Sequence, residues 1–363
     1  MAREVKFREG FVYRSFFFNV GTSIDLEGVA KALSLDVVER ALDAGRAQPQ
    51  NLSFFKAPLV TKINVSGLLF SGFSCDEVEI VFYDLGVIVI SLKIPFNGGF
   101  SRLISFHKEL YESERANKWA QEWFDDNFQK LEPLIILPNL KVPSFKYSAF
   151  FTDNWNAPCE KSMVEETFPD ELARLLRATD IVLSEEEVDE ALAHRVSFSD
   201  DDFTIIDFDA AFFAGGPHAE GWQILETMLV QHLKLRWIGE ALNPLIDLGI
   251  SYLRRPASFF PVSPVSHQEL TNLDPFAGVI TEMMMRVDNM MEISGGRYLE
   301  RLHHVIAEKM KFEELDEILN SKLEYLGEMY QHLHDERAII SSEKLEWMIV
   351  ILILISLLTS FFL

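Results

Sequence analysis

Cysteine is nearly absent from this chain: two in 363 residues, Cys75 and Cys159, with no Cys-x-x-Cys spacing. That excludes a disulfide scaffold and a cysteine zinc site, and it fits a reducing compartment. Basic residues are scarce too, 33 against 56 acidic, for a net charge of −23. A field of that sign repels phosphate backbones, and the basic clusters amount to Arg254-Arg255, so direct nucleic-acid binding is not expected. No His-Glu-x-x-His, Walker A or Gly-x-Ser-x-Gly pattern occurs. Met1 to Gly10 mixes Arg3, Lys6 and Arg8 with Glu4 and Glu9 and has no apolar core, so neither a signal peptide nor a presequence is read there. What the chain does have is apolar content of 48%, enough for real cores in two ordinary domains or one with appendages.

The longest apolar run closes the sequence. From Trp347 to Leu363 seventeen residues carry no charge, a helix of roughly 25 Å against a hydrocarbon core of about 30 Å. Trp347 stands where an interfacial aromatic belongs, and Leu352, Leu354 and Phe361 would face lipid. The expectation is a tail-anchored, single-pass membrane protein with a cytoplasmic body. Upstream, Val305, Phe312, Leu319, Leu326, Leu333, Ile340 and Trp347 recur every seven residues, with no proline from Arg297 onward. One continuous coiled-coil-like stem is expected to run from about Arg297 into the membrane. Before it, Asp274-Pro275 opens a helix with Phe276, Val279, Ile280, Met283, Val287, Met290 and Met291 on one face, and Ser294-Gly-Gly permits a reversal into a helical hairpin. Beyond the hairpin's reach, Leu319, Leu326, Leu333 and Ile340 need a cover, either another helix of this chain or a second copy.

The body reads as α+β with an internal repeat. Val12–Asn19, Glu77–Tyr83 and Val87–Leu92 alternate as strands, Asp25 and Asp36 cap helices, and Ser101 to Leu131 reads as one long helix. Lys146–Thr152, helices over Pro169–Leu176 and Ser184–His194, the segment Phe203–Phe213 and a helix from Glu220 to about Arg236 follow in the same order. The expectation is a pseudo-duplicated β-α-β-β-α body, residues 1–133 and 144–255, then the hairpin and stem over 274–346 and the membrane helix over 347–363.

The acidic excess is concentrated. Between Glu160 and Asp209 sixteen acidic residues meet four basic ones, a net −12. Asp200-Asp201-Asp202 is followed by Asp207 and Asp209, which would share one face of a strand and could hold a divalent cation; the plainer reading is a solvated turn. His303-His304 and His332/His334 point to different helix faces and make no chelate.

Arg297-Tyr-Leu-Glu-Arg, the helix after it and Lys344-Leu-Glu-Trp-Met-Ile-Val-Ile-Leu-Ile353 together resemble the "required for meiotic nuclear division" proteins, also described as Sad1-interacting factors. There an Arg-Leu-Glu-Trp motif leads into a closing apolar run. Phe82-Tyr-Asp-Leu-Gly-Val-Ile-Val-Ile90 looks like that family's Phe-Asp-Tyr-Gly-Val-Val-Val-Phe-Trp segment, with Ser91 where a tryptophan is usual. The resemblance implies a membrane-anchored, non-enzymatic protein, in a bacterial or archaeal inner membrane, or in the mitochondrial inner membrane as in a eukaryotic member. The combined expectation is a scaffold without a cofactor. Its body would bind a protein partner, most plausibly basic, through the acidic segment, and its stem would form homo-oligomers at the lipid surface. The alternative is a membrane-tethered metal-dependent enzyme or small-ligand sensor built on Asp207 and Asp209.

Overall fold

A computed structural model describes residues 5–33, 37–40, 52–54, 56–70, 72–138, 144–156, 164–215, 218–253, 273–293, 297–329 and 331. The chain divides into two units, 1–235 with 278–313, and 236–277 with 314–363.

The first unit is organised by aromatic strands. Its first strand, β1 (Lys6–Asn19), carries Phe16, Phe17 and Phe18 in succession and sends them to alternate faces. It is followed by β2 (Ser23–Ile24), helix α1 (Leu26–Leu33), β3 (Val38–Glu39), β4 (Leu52–Phe54), β5 (Leu59–Phe70), β6 (Phe73–Tyr83) and β7 (Val87–Gly99). Helices α2 (Phe100–Glu112) and α3 (Glu114–Leu131), strands β8 (Ile135–Ile136) and β9 (Ser144–Asn156), and helices α4 (Val164–Thr167), α5 (Pro169–Leu176) and α6 (Glu185–Leu192) come next. Then follow β10 (Arg195–Val196), β11 (Phe203–Ile206), β12 (Ala210–Ala214), α7 (His218–Leu253), α8 (Leu273–Asp288), β13 (Met291–Ile293) and α9 (Arg297–Lys309).

Nine strands form one sheet in the order β10-β11-β12-β9-β1-β7-β6-β5-β3. One face carries Val12, Phe16, Phe18, Ile90, Phe82 and Phe150 into a core with Leu103, Phe106, Phe124 and Leu175 from α2, α3 and α5. The opposite face carries Tyr13 and Tyr83. Trp222 of α7 stacks on Tyr13 with ring centroids 5.2 Å apart, and Tyr83 donates to Glu226 of α7 at 2.6 Å. Both faces of this unit's sheet are therefore covered by helices, which explains why its inner strands are apolar on both sides.

Several expectations hold. Asp25 accepts from the Glu27 amide in front of α1, and Ser184 accepts from the Glu187 amide at the start of α6. Of the predicted helix face, Ile280, Met283, Val287 and Met290 are buried, whereas Val279 is half-buried and Met291, also half-buried, belongs to β13.

The duplicated α+β architecture is corrected: this is a mixed α/β body built on one large sheet, and its halves are not copies. β1 pairs antiparallel with β7, whereas its counterpart β9 pairs parallel with β12. The first half also contains β5, a twelve-residue strand with no counterpart. Val38–Glu39 is strand rather than helix, and the Ser101–Leu131 helix is two, because Ser113 leaves helical geometry and caps α3 by accepting from Ala116.

The continuous stem is corrected too. α9 stops at Lys309, and Lys311 takes a positive φ of 56°, which a right-handed helix does not contain; a second helix then covers 312–329. The buried face of α9 is Leu299, Leu302, Ile306 and Lys309, a 3.6-residue stripe set off from the heptad positions Val305 and Phe312, so no coiled-coil seam is seen there. The expected hairpin is interrupted by β13, which pairs with β4. The membrane-spanning tail anchor is not upheld: no helix among the described residues is long and apolar enough to cross a membrane. Trp347, Leu352, Leu354 and Phe361 lie outside the described residues.

Buried His107 on α2 links the first core to solution conditions. Its Nδ1 lies 2.6 Å from the Leu175 carbonyl and its ring meets Phe150 edge-on. Burial pushes its pKa down to about 3, outweighing the bond to Leu175. The unfolded chain takes up this proton near pH 6.5 and the folded one near 3. The stabilising contribution is therefore complete above pH 6.5 and is lost as pH falls toward 3. Urea titrations are expected to show this loss approaching ~1.4 kcal/mol per pH unit, with that slope missing in His107→Phe.

Candidate functional site

The acidic segment is where sequence and structure can be compared residue by residue. Ile206 ends β11 and Ala210 begins β12, so Asp207, Phe208 and Asp209 form the turn of a hairpin rather than a strand face. The turn sends the two carboxylates in opposite directions. Asp207 goes inward, its side chain 2% exposed, and meets Lys309 of α9 at 3.0 Å and Nε of Arg177 at 3.2 Å. It also accepts from the Phe208 amide at 2.8 Å, and its own carbonyl accepts from the Tyr147 hydroxyl at 2.8 Å. Asp209 goes outward and accepts from Tyr111 of α2 at 3.2 Å.

Lys309 is the centre of this cluster. Its side chain is 1% exposed, it donates to Glu190 of α6 at 2.8 Å, and its ammonium lies 4.5 Å from the Phe208 ring centroid. Arg177, just past α5, pairs with Glu190 as well. The cluster ties α5, α6, α9 and the β11–β12 turn together. Buried charges are tolerated because each meets an opposite charge at hydrogen-bond distance.

The two cations occupy the carboxylate on which a metal at Asp207 would depend, and Asp209 is turned away. Among the described residues no group of three or more His, Cys, Asp or Glu is placed to hold a metal ion. Asp202, last of the three consecutive aspartates, is buried and accepts from the Phe198 amide and the Ser199 hydroxyl, closing a turn.

The rest of the segment faces outward. Glu185, Glu186, Glu187, Asp189 and Glu190 on α6 are exposed, as are Asp180, Asp200 and Asp201. Large apolar side chains stand among them: Ile181 is 70% exposed, Val182 75% and Phe198 70%. Phe208 is also exposed and shares Lys309 with Glu190.

A second buried network lies under α7. Arg40 follows β3 and donates to Glu226 and Glu79, each at 2.6 Å, while Tyr83 donates to the same Glu226 oxygen that Arg40 contacts. Desolvation raises the Glu226 pKa and Arg40 acts against it; burial and Glu226 push the Tyr83 hydroxyl well up. Sequence reading missed Arg40, Lys309 and Glu226. Arg40 stood in a segment read as helix, and no spacing linked either it or Lys309 to its partner.

In the second unit, Leu319 is buried, and a Cβ placed on Gly239 of α7 would lie 3.3 Å from it. Lys322 donates to the Gly239 carbonyl at 2.7 Å and to Asn243 at 2.8 Å. For Leu319 the cover is thus a helix of the same chain. Leu326 is half-buried, and Leu333 and Ile340 lie outside the described residues.

A family model described as "Uncharacterized protein MJ0711, N-terminal domain" matches residues 9–218. No curated protein and no solved structure matches. The matched span runs from within β1 to the first residue of α7, so it holds the hairpin turn and the acidic segment but not Lys309 or Glu226.

Proposed function

From a chain that belongs to the MJ0711 N-terminal domain family, we propose a non-catalytic assembly role, in which the body docks a basic protein partner through its acidic segment. The observation that carries the reading is the mixture on that surface. Ile181, Val182 and Phe198 are apolar and open to water beside exposed glutamates and aspartates. Exposed apolar side chains rimmed by charge mark surfaces that meet other proteins. The acids would steer a basic partner and the apolar groups would supply contact energy after encounter.

The chemistry of the interior favours the same reading. Asp207, Glu190, Lys309 and Arg177 pair with one another, as do Arg40, Glu79 and Glu226.

Photo-crosslinking tests the proposal. A photoreactive residue is placed at Val182 or Phe198, with Lys31 of α1 as the control position, in the full chain expressed in its own cells. The expected result is one basic protein captured at both acidic-segment positions and not at Lys31, and lost when Glu185, Glu186 and Glu187 are all changed to lysine. Capture that ignores the charge reversal, or no capture at either position, sinks it.

A further inference from the structure

Where α3 crosses β1 and β9, the sheet carries an unassigned cavity of about 340 Å³. Its floor is Phe16 and Phe18 of β1 with Lys146 of β9, and its wall is Glu114, Asn117, Lys118 and Gln121 of α3. The strand register explains the floor. Phe16 and Lys146 are direct partners across the β1–β9 pair, so their side chains leave the same face. β12 joins β9 only from Ser148 onward, so among the described residues no further strand flanks β9 at Lys146.

The charge at this floor is unusual for so acidic a chain. Lys146 is half-buried beside its strand partner Phe16 and has no carboxylate within ion-pair distance among the described residues. Two residues along the same face, Arg14 is fully buried. It donates to Ser148 at 3.0 Å and lies over the Tyr111 ring, yet it too has no carboxylate at ion-pair distance there, and its Nε has no partner. Arg40 and Lys309, by contrast, each meet two carboxylates. Burial, with Arg14 adding to it, depresses the Lys146 pKa; burial depresses that of Arg14 to about 10. Partly buried cations without a counter-charge are costly, and an anion arriving from solution removes that cost.

We infer that this cavity binds a small monocarboxylate with a flat apolar body, the carboxylate on Lys146 and the body along the edges of Phe16 and Phe18. Asn117 stands on the wall with a side-chain amide free among the described residues to donate to the second carboxylate oxygen. The volume lies within the range of small-molecule sites. The site is separate from the acidic docking segment and does not rest on that reading.

Calorimetric titration of the full chain tests this, with benzoate as the probe, benzamide as its neutral isostere and inorganic phosphate as an anion without the apolar body. Saturable one-to-one benzoate binding is expected, with benzamide and phosphate each at least tenfold weaker. Lys146→Met is expected to weaken benzoate at least tenfold, and Asn117→Trp to abolish binding by filling the cavity from the helix side. If Lys146→Met fails to fold, Asn117→Trp decides. The inference is overturned by absence of saturable benzoate binding at millimolar concentration, by equal affinity for benzamide or phosphate, or by binding that survives Asn117→Trp.

Discussion

Asp207→Asn is expected to destabilise the fold by about 3 kcal/mol, the lower end of the cost of breaking a buried ion pair from one side. The substitution keeps an oxygen for the Phe208 amide and nearly the same volume, so packing loss is small. What it removes is the charge that Lys309 and Arg177 share. Lys309, 1% exposed, is then left to Glu190 alone, and Glu190 is half in water. A second substitution separates charge from shape. In Asp207→Asn with Lys309→Met, no uncompensated ammonium remains, so the double variant is expected to lose at least 1 kcal/mol less than the sum of the singles. Urea unfolding of the four proteins in the cycle measures this. A change below about 1 kcal/mol for Asp207→Asn would mean that the cluster behaves like a surface ion pair and does not hold α9 to the hairpin.

Arg40→Met is expected to cost about 3–5 kcal/mol, because one cation neutralises two carboxylates, Glu79 and Glu226. Glu226 is fully buried and would keep only the Tyr83 hydroxyl as a partner. The sign of the pH dependence follows from its position. Desolvation raises the Glu226 pKa even with Arg40 present, and removing Arg40 raises it further. An acid with a raised pKa in the folded state stabilises that state while protonated and loses the contribution as pH rises through the folded pKa. The deficit of Arg40→Met relative to the parent is therefore expected to be largest near pH 8 and to shrink toward pH 5. Thermal melts of both proteins across that range check it. A deficit that is flat with pH would show that Glu226 does not carry the penalty. Tyr83→Phe, which removes one hydrogen bond to a charged group, is expected to cost about 1.5–3 kcal/mol.

These two clusters also mark where sequence reading ran out. Strands with strong alternation were legible: β1, β6, β7 and β9 lie where period and aromatic content place them, though each extends further than read. The caps at Asp25 and Ser184 were legible because a cap is a local event within three residues. β5 was missed because Leu59–Phe70 includes Lys62, Asn64, Ser66 and Gly67, which dilute the strand signal; its pairing with β6 outweighs that dilution. The stem was over-read. A seven-residue apolar repeat describes a helix surface only while the helix continues, and Lys311 ends it. At Asp207 and Asp209 the alternation rule assumed an extended strand, whereas a turn of three residues sends one carboxylate inside and the other to water.

By itself the sequence determined what depends on near neighbours and on totals. The acidic field, the concentration of charge between Glu160 and Asp209, the amphipathic faces and the aromatic strands are all set by residue identity and short spacing. Tertiary structure decided which charges meet. Lys309 reaches Asp207 across 102 positions and Arg40 reaches Glu226 across 186, so each pair exists only once the sheet and its covering helices are assembled. It also decided that β1 pairs antiparallel with β7 while β9 pairs parallel with β12 in the same sheet, because strand direction is fixed by the path of the connections. The same sheet places Phe16 beside Lys146, a contact set by the β1–β9 register that no local pattern in either strand encodes.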